Sequence, residues 1–496
     1  MQAQEAPQEG RGARWLEGAS LERGVRGAAG VALLLATALA LARLPVVLAG
    51  ALAFGLAFAL VTLVHPWAAF LVLPLAVPFG SLVEVRAGIA SVGATELAFL
   101  WAVAVWCAAF LARKVGRVRW PAGVTLAFGA FLTAALCSTT QSLSLQYSLK
   151  ELLKWLQFAL TALLVYNLLA EGERPRWLPQ ALLAAVLCAG SLAALQGVVQ
   201  FVGGIGPPGF LLFGRFMRAY GTFQQPNPYG GYLGLVFPLA YALALWASGR
   251  PRERVLWSAL SWGATALTSL ALLMTWSRGA WLGAAAAFAT VSALRSRRAA
   301  FAFGAALVLL VVLAGLGLLG ALPPALTVRF AGLAEYLTPR DVSQVEPTPA
   351  NWAVVERLAH WQAAWAMFRE HPWLGVGWGN YVPVYPAYAL PRWADPLGHA
   401  HNYYLNVLAE AGLVGLAGYL LFWTVAFWAA WRAARQSPPF LQAASLGTLG
   451  VFVHLSVHNF VDNLYVHGVP IHLGLLLGVV LWAREGHGPA GRTGAS

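Results

Sequence analysis

The chain has 496 residues, of which 59% are hydrophobic and only 10% are charged, and its formal net charge is +13. A soluble domain carries about 25% charged residues, so this composition excludes an ordinary soluble protein. In a membrane protein, an excess of positive charge reflects the bias of Lys and Arg toward cytoplasmic loops, and we therefore expect no nucleic-acid partner.

Long apolar runs recur along the chain. A helix needs about 17–25 apolar residues to cross a hydrocarbon layer of about 30 Å, and the bilayer core admits only helices and closed barrels. Continuous Ala- and Leu-rich runs predict an all-α, polytopic integral membrane protein with about 12–14 transmembrane helices. The expected segments are 27–43, 46–64, 67–80, 94–112, 121–138, 152–170, 178–202, 229–248, 256–275, 279–294, 299–320, 412–432, 440–458 and 467–483. Segment 67–80 is short and contains two prolines, so a re-entrant segment is an alternative there.

These segments give the chain a simple organisation. A cytoplasmic tail (1–26) precedes transmembrane helices (27–320), which include an external Arg-containing loop (203–228). A long external loop (321–400) follows, in which residues 352–370 have the apolar spacing of an amphipathic helix. The C-terminal part has transmembrane helices with a histidine motif (401–483) and a cytoplasmic tail (484–496).

Loop charge predicts the orientation. With the N-terminus in the cytoplasm, the cytoplasmic loops and tails are all basic and hold 20 of the 32 Lys and Arg residues. The short external loops are nearly free of basic residues, and long loops escape the charge rule. We expect a multi-pass protein of the cytoplasmic (inner) membrane, with both termini in the cytoplasm and the unusual polar residues on the external, periplasmic side.

Two of the polar segments on that side contain arginine. The first, Arg215–Gly231, holds Arg215 and Arg218 ahead of a turn-rich stretch, and the second, Ser277–Trp281, holds Arg278 between two apolar runs. Arg offers a planar, permanently charged fork that suits phosphate, and an ionisable residue this close to hydrocarbon usually faces a polar cavity. The alternative is that these arginines only anchor the chain at the interface with snorkelling side chains.

A third polar segment contains His399 and His401 and opens a helix that runs through Gly412 and Gly415. The intrinsic pKa of histidine suits a general base near neutral pH. A histidine at an interface is otherwise a simple hydrogen-bonding residue, but the regular spacing from His401 to the two glycines favours a functional role.

The fourth polar segment contains His454, His458 and Asp462, which are spaced at i, i+4 and i+8 and would share one helix face. Two His and one Asp could ligate a metal, but we favour a hydrogen-bonded helix end that supports the other segments. The chain has no Walker-type phosphate loop and no Rossmann fingerprint, so a soluble nucleotide is not expected as substrate.

Together these motifs resemble the O-antigen ligase and polymerase superfamily, which includes O-antigen ligases, Wzy-type polymerases and bacterial protein O-oligosaccharyltransferases. The pattern H-N-x9-G-x-x-G at His401–Gly415 is similar to the family signature. Arg218–Asn227 and Ser277–Trp281 resemble its Arg-containing segments, and Trp361–Gly377 fits its long external loop. The resemblance covers roughly residues 200–465.

The resemblance implies glycosyl transfer from an undecaprenyl-diphosphate-linked glycan to an acceptor hydroxyl, without a metal or another cofactor. His401 would be the general base, and Arg218 and Arg278 would hold the lipid diphosphate. Weaker candidates for a supporting role are Arg215, which could add to the phosphate site, Asn402, which could orient the base or cap its helix, His399, a rival base, and Arg357 and Asp462.

The expected partners are the lipid-linked glycan donor, membrane lipids and an acceptor that is a lipid, a glycan or a protein. The motifs leave an O-antigen ligase, a polysaccharide polymerase and a protein O-oligosaccharyltransferase open. A transporter or flippase of lipid-linked sugar is the alternative from another class. Transporters usually place ionisable residues near the bilayer midplane, whereas here they gather at one face.

Overall fold

The computed structural model describes residues 45–82, 84–87, 90–112, 117–171, 174–248, 254–315, 341–348 and 351–485. The chain divides into two compact units, Met1–Pro66 and Trp67–Ser496. In the described part of the first unit, helix α1 spans Val46–Val64. The helix expected at 27–43 lies outside the described residues.

The second unit is almost entirely helical in its described residues. Its helices are α2 (Trp67–Phe79), α3 (Ala94–Leu111), α4 (Ala122–Ser138), α5 (Leu145–Ala170), α6 (Leu178–Val202), α7 (Pro226–Ala247), α8 (Val255–Met274), α9 (Arg278–Arg295), α10 (Arg297–Gly315), α11 (Trp352–Glu370), α12 (Tyr381–Val384), α13 (Tyr403–Gln436), α14 (Pro439–His458) and α15 (Val469–Arg484). Two short antiparallel hairpins interrupt them: β1 (Glu84–Ala87) pairs with β2 (Ala90–Gly93), and β3 (Leu211–Leu212) with β4 (Phe216–Met217).

The expected all-α membrane fold is confirmed. Each membrane segment predicted from position 46 onward coincides with one of these helices, although residues 316–320 lie outside the described part. Within the described ranges, eight helices are long and apolar enough to cross a membrane by length and composition. Helix α2 has 13 residues and contains Pro74 and Pro78. At 1.5 Å per residue it is about 20 Å long, which is shorter than the hydrocarbon core.

Two helices lie at the centre of the second unit. Within their apolar windows, 83% of α7 and 67% of α14 is buried inside the protein, against 33% of α8. Helix α14 packs against α7, α9 and α13. Gly234 of α7 and Gly283 of α9 allow this close approach, because a Cβ at either position would collide with the imidazole of His454.

Helix α11 spans the residues 352–370 in which the sequence predicted an external helix. It packs against α13. One side of the helix is buried, and its buried residues are Val354, Val355, Leu358, Ala359, His360, Ala363, Ala364 and Met367. Most of these are apolar, as the spacing predicted, and His360 is the polar exception.

Helix α13 is broken at Gly412, whose φ of 63° and ψ of −162° are not helical. The break releases backbone groups from the helix, and the segment 372–377 forms hydrogen bonds to them. Four backbone hydrogen bonds join the two: Val376 N–H to Ala409 O (2.9 Å), Gly377 N–H to Glu410 O (3.0 Å), Leu413 N–H to Pro372 O (2.8 Å) and Val414 N–H to Trp373 O (3.3 Å). The break therefore fixes the segment 372–377 to the N-terminal part of α13.

This geometry predicts that Gly412→Ala destabilises the protein. The backbone conformation is one that essentially only glycine adopts, and it costs an L-residue about 1–3 kcal/mol. A Cβ would also collide with the backbone of Trp373 and Leu374. We expect a lower Tm in detergent, measured by thermal unfolding with size-exclusion readout.

Gly263→Ala is the matched control, because Gly263 lies within α8 and a Cβ there meets open space. Alanine is favoured over glycine in a helix by about 1 kcal/mol, so the control should keep or raise the Tm. A wild-type Tm for Gly412→Ala would contradict this description of the break.

Candidate active site

The two arginine segments of the sequence meet around Arg218. Its Nε donates to the carbonyl of Thr275 at 2.7 Å, and its Nη2 donates to Oδ1 of Asn227 at 2.9 Å. The adjacent Ala219 N–H donates to the carbonyl of Met274 at 3.0 Å. Arg218 is thereby held between the first turn of α7 and the end of α8. Its partner Thr275 lies three residues before Arg278 in the sequence.

Arg218 lines a cavity of about 120 Å³. The polar side chains of its lining are Arg218, Asn227, Ser277, Arg278, Arg357, His458 and Asp462. The three arginines come from the loop before α7, the first residue of α9 and helix α11. The N-terminus of α9 adds the positive end of its dipole. Three guanidinium groups face one carboxylate, so the cavity is suited to an anion with several oxygen atoms.

Asp462 is 5% exposed and lies among three histidines. Its Oδ1 is 3.7 Å from Nε2 of His399 and 3.9 Å from Nδ1 of His401, and its Oδ2 is 4.0 Å from Nε2 of His458. The third and fourth polar segments of the sequence are therefore joined in one cluster, at the edge of the arginine cavity. Because α14 ends at His458, Asp462 reaches this position from the loop that follows the helix and not from an added helical turn.

The two candidate bases differ in their hydrogen bonds. The backbone N–H of His401 donates to Nδ1 of His399 at 3.0 Å, so the proton of a neutral His399 resides on Nε2, which faces Asp462. The lone pair of a neutral His399 is thus already used by this hydrogen bond. Both ring nitrogens of His401 are buried and have no hydrogen-bond partner among the described residues. With Nδ1 toward Asp462, Nε2 of His401 is left to accept a proton.

Burial and charge set the protonation of this cluster. Burial lowers the pKa of His399, and His401 lowers it further. For Asp462, burial acts to raise the pKa, but the surrounding His401, His399 and His458 together outweigh it, and the pKa lies below its usual range. At neutral pH the cluster therefore combines an ionised carboxylate with a neutral His399.

The backbone around His401 is tightly held. His401 has a φ of 51°, a left-handed conformation in which histidine is enriched among non-glycine residues. Its carbonyl accepts a hydrogen bond from Nε1 of Trp361 at 3.3 Å. Asn402 caps α13 by accepting from the N–H of Leu405 at 3.1 Å, and the N–H of Ala400 donates to Asn406 Oδ1 at 3.0 Å. Asn402 therefore acts as the helix cap that the sequence suggested.

His399, His401 and Asp462 also have the spacing of a metal site, because one ligand atom from each lies within 4.8 Å of the others. The tautomer of His399 does not suit this role. Its Nε2 presents a proton to Asp462 instead of the lone pair that a metal requires.

Two of the sequence candidates lie elsewhere. The guanidinium of Arg215 is positioned 5.2 Å from the ring centroid of Phe216 and is not part of the cavity lining. His454 is fully buried one turn below His458, against α7 and α9, and is also outside the lining. The cavity lining includes Arg357, which is one of the weaker candidates from the sequence.

Sequence reasoning missed His360 and the contact made by Asn227. His360 is 1% exposed, and its ring centroid is 5.4 Å from that of His401. The available signal was a histidine on the otherwise apolar face of the predicted helix 352–370, since a buried polar group needs a partner. For Asn227 the signal was its position just before a membrane helix, within the arginine segment.

Residues 263–420 match the family model of the C-terminal Wzy domain, described as O-antigen ligase. The family resemblance is confirmed. The match includes Arg278, Arg357 and His401, whereas Arg218 and Asp462 lie outside it. An O-antigen ligase of Pseudomonas aeruginosa is 29% identical over 126 residues, which cover 25% of this chain and 30% of that protein. The match therefore spans less than a third of that relative.

The arginine cavity predicts binding of inorganic pyrophosphate. A ligand that binds only the folded state raises the free energy of unfolding, by about 2.7 kcal/mol at a ligand concentration of a hundred times Kd. The Tm rises with it. We expect pyrophosphate to raise the Tm of the purified wild type, and Arg218→Gln or Arg278→Gln to reduce the rise strongly.

Arg369→Gln is the matched control, because Arg369 is exposed on α11 and does not line the cavity. It should keep the full shift. An unchanged pyrophosphate effect in both cavity variants would show that the anion binds elsewhere.

Proposed function

We propose that this protein is a glycosyltransferase that moves a glycan from an undecaprenyl-diphosphate-linked donor to an acceptor hydroxyl, on the external face of the cytoplasmic membrane. The observation that carries the proposal is the adjacency of an arginine-lined cavity to a histidine with an unused ring nitrogen. The match to an O-antigen ligase model over residues 263–420 supports the same class of reaction.

In the proposed reaction, the acceptor hydroxyl attacks the anomeric carbon of the donor sugar. Its proton passes to Nε2 of His401, a carbon–oxygen bond to the acceptor forms, and the bond from the anomeric carbon to the diphosphate breaks. General-base catalysis of this kind contributes about 10²–10⁴-fold. Asp462, 3.9 Å from Nδ1, stabilises the imidazolium that results. Attack from the face opposite the leaving group inverts the anomeric configuration.

The leaving lipid diphosphate gains negative charge as the bond breaks. Arg218, Arg278 and Arg357 line the same cavity and would hold its oxygens. Because Arg218 is fixed by Thr275 and Asn227 before substrate arrives, little reorganisation is needed at the transition state. The acceptor class stays open among a lipid, a glycan and a protein, as does the choice among ligase, polymerase and protein glycosylase.

The central test uses purified protein in liposomes with lipid-diphosphate glycan and an acceptor. We expect His401→Ala to lose at least about 10²-fold in the rate of transfer, while the protein stays folded and inserted. His371→Ala is the matched control, since His371 is exposed at the end of α11. A wild-type rate in His401→Ala would remove it from the mechanism, and glycan movement between leaflets without release of lipid diphosphate would favour the transporter.

The proposed reaction uses no metal, and this can be tested separately. Nδ1 of His399 accepts from the N–H of His401, so its Nε2 carries the proton and offers no lone pair to a metal. We expect treatment with EDTA to leave the transfer rate of the reconstituted protein unchanged. A rate that falls with EDTA and returns with an added divalent cation would contradict the metal-free reaction.

The proposed orientation predicts which positions a membrane-impermeant thiol reagent reaches in intact cells. Native Cys107, Cys137 and Cys188 are first replaced by Ala. Gln344→Cys, in an exposed part of the long external loop, should react in intact cells, whereas Ser296→Cys, between α9 and α10, should react only after lysis. The reverse pattern would place the arginine cavity on the cytoplasmic side.

A further inference from the structure

The external helix α11 brings a second histidine against the proposed base. The rings of His360 and His401 meet edge to face, with centroids 5.4 Å apart and planes at 79°. His360 is 1% exposed, so the contact is enclosed by protein. On the neighbouring position of α11, Trp361 bonds the carbonyl of His401. Helix α11 therefore contacts both the ring and the backbone of His401.

His360 is itself fixed from the opposite side. Its Nδ1 and the hydroxyl of Tyr381 are hydrogen-bonded at 2.9 Å, and the ring of Tyr385 stacks on it with centroids 4.8 Å apart. Burial and His401 lower the pKa of His360 to about 4, so the ring is neutral at neutral pH. The side chain has one tightly defined position, between two tyrosines and the imidazole of His401.

Tyr381 also connects His360 to α13, the helix that begins two residues after His401. The backbone N–H of Tyr381 donates to Oε1 of Glu410 at 3.1 Å, and the N–H of Gly379 donates to its Oε2 at 3.1 Å. Glu410 lies on α13, two residues before the break at Gly412. The first turns of α13 are thus connected to the ring of His401 through Glu410, Tyr381 and His360.

We propose that His360 is a positioning residue for His401, which holds the imidazole in the orientation that directs Nε2 toward the acceptor hydroxyl. The inference rests on the proposed function. His360 contacts no reacting atom in this account and acts only through His401. A displacement of about 1 Å in a reacting group can cost about 10²-fold in rate, so a ring contact of this kind affects turnover more than substrate binding.

The test is steady-state kinetics of the full-length protein in liposomes, with donor and acceptor varied separately. His360→Ala should lower kcat by about 10–100-fold and leave both KM values within about threefold. His360→Phe keeps a flat ring of similar size and should recover a large part of the lost kcat. Tyr381→Phe removes only the hydroxyl that holds His360 and should lower kcat by a smaller factor, again at unchanged KM. His371→Ala is the control and should match the wild type.

Three results would overturn the inference: a wild-type kcat in His360→Ala, a His360→Phe as impaired as His360→Ala, or a wild-type kcat in Tyr381→Phe. Each variant is first shown to keep the wild-type Tm and its rise with pyrophosphate. If His360→Ala does not fold, His360→Phe and Tyr381→Phe decide the matter. His401→Ala in the same assay separates the two proposals, because a fully active His401→Ala rejects the general base itself, whereas an inactive His401→Ala with an active His360→Ala rejects only the positioning role.

Discussion

The site depends on the break in helix α13 at Gly412. A continuous helix would satisfy the carbonyls of residues 409 and 410 and the N–H groups of residues 413 and 414 internally. Here the segment 372–377 forms one hydrogen bond to each of these four groups. Buried backbone groups need partners, so the break and the segment satisfy each other. A part of the long loop is thereby held against the helix by backbone hydrogen bonds.

The proposed base and the arginine cavity lie on different elements. His401 lies just before α13 and contacts α11, whereas Arg218 and Arg278 belong to the segments around α7 and α9. The end of α14 and the loop after it connect the two regions, because His458 and Asp462 line the cavity and Asp462 also faces His401. Asp462 is therefore a carboxylate that lies both at the edge of the cavity and near the proposed base. In a low-dielectric setting both the attraction and the repulsion between such groups are strong.

Much of this could be predicted from the sequence. The lengths of the apolar runs predicted the helices, because the bilayer requires a similar apolar length of each of them. The glycine spacing after His401 made it the candidate base, a role that stays a prediction. Arg218 and Arg278 were recognised because an arginine near hydrocarbon needs a partner. The sequence favoured a supporting role for the segment of His454, His458 and Asp462, but it did not identify His401 as the neighbour of Asp462, because Asp462 lies in the loop after α14. His360 was missed because helical periodicity identifies a buried face but not what a polar residue on that face contacts.

In the proposed reaction, a lipid diphosphate is held in the arginine cavity with its sugar facing His401. The most direct measurement is a cryo-electron microscopy structure of the protein with a non-transferable analogue of the lipid-diphosphate sugar. We expect diphosphate oxygens within about 3 Å of the guanidinium groups of Arg218 and Arg278, with the anomeric carbon on the side of the cavity nearest His401. A diphosphate bound outside this cavity, or a sugar directed away from His401, would contradict it.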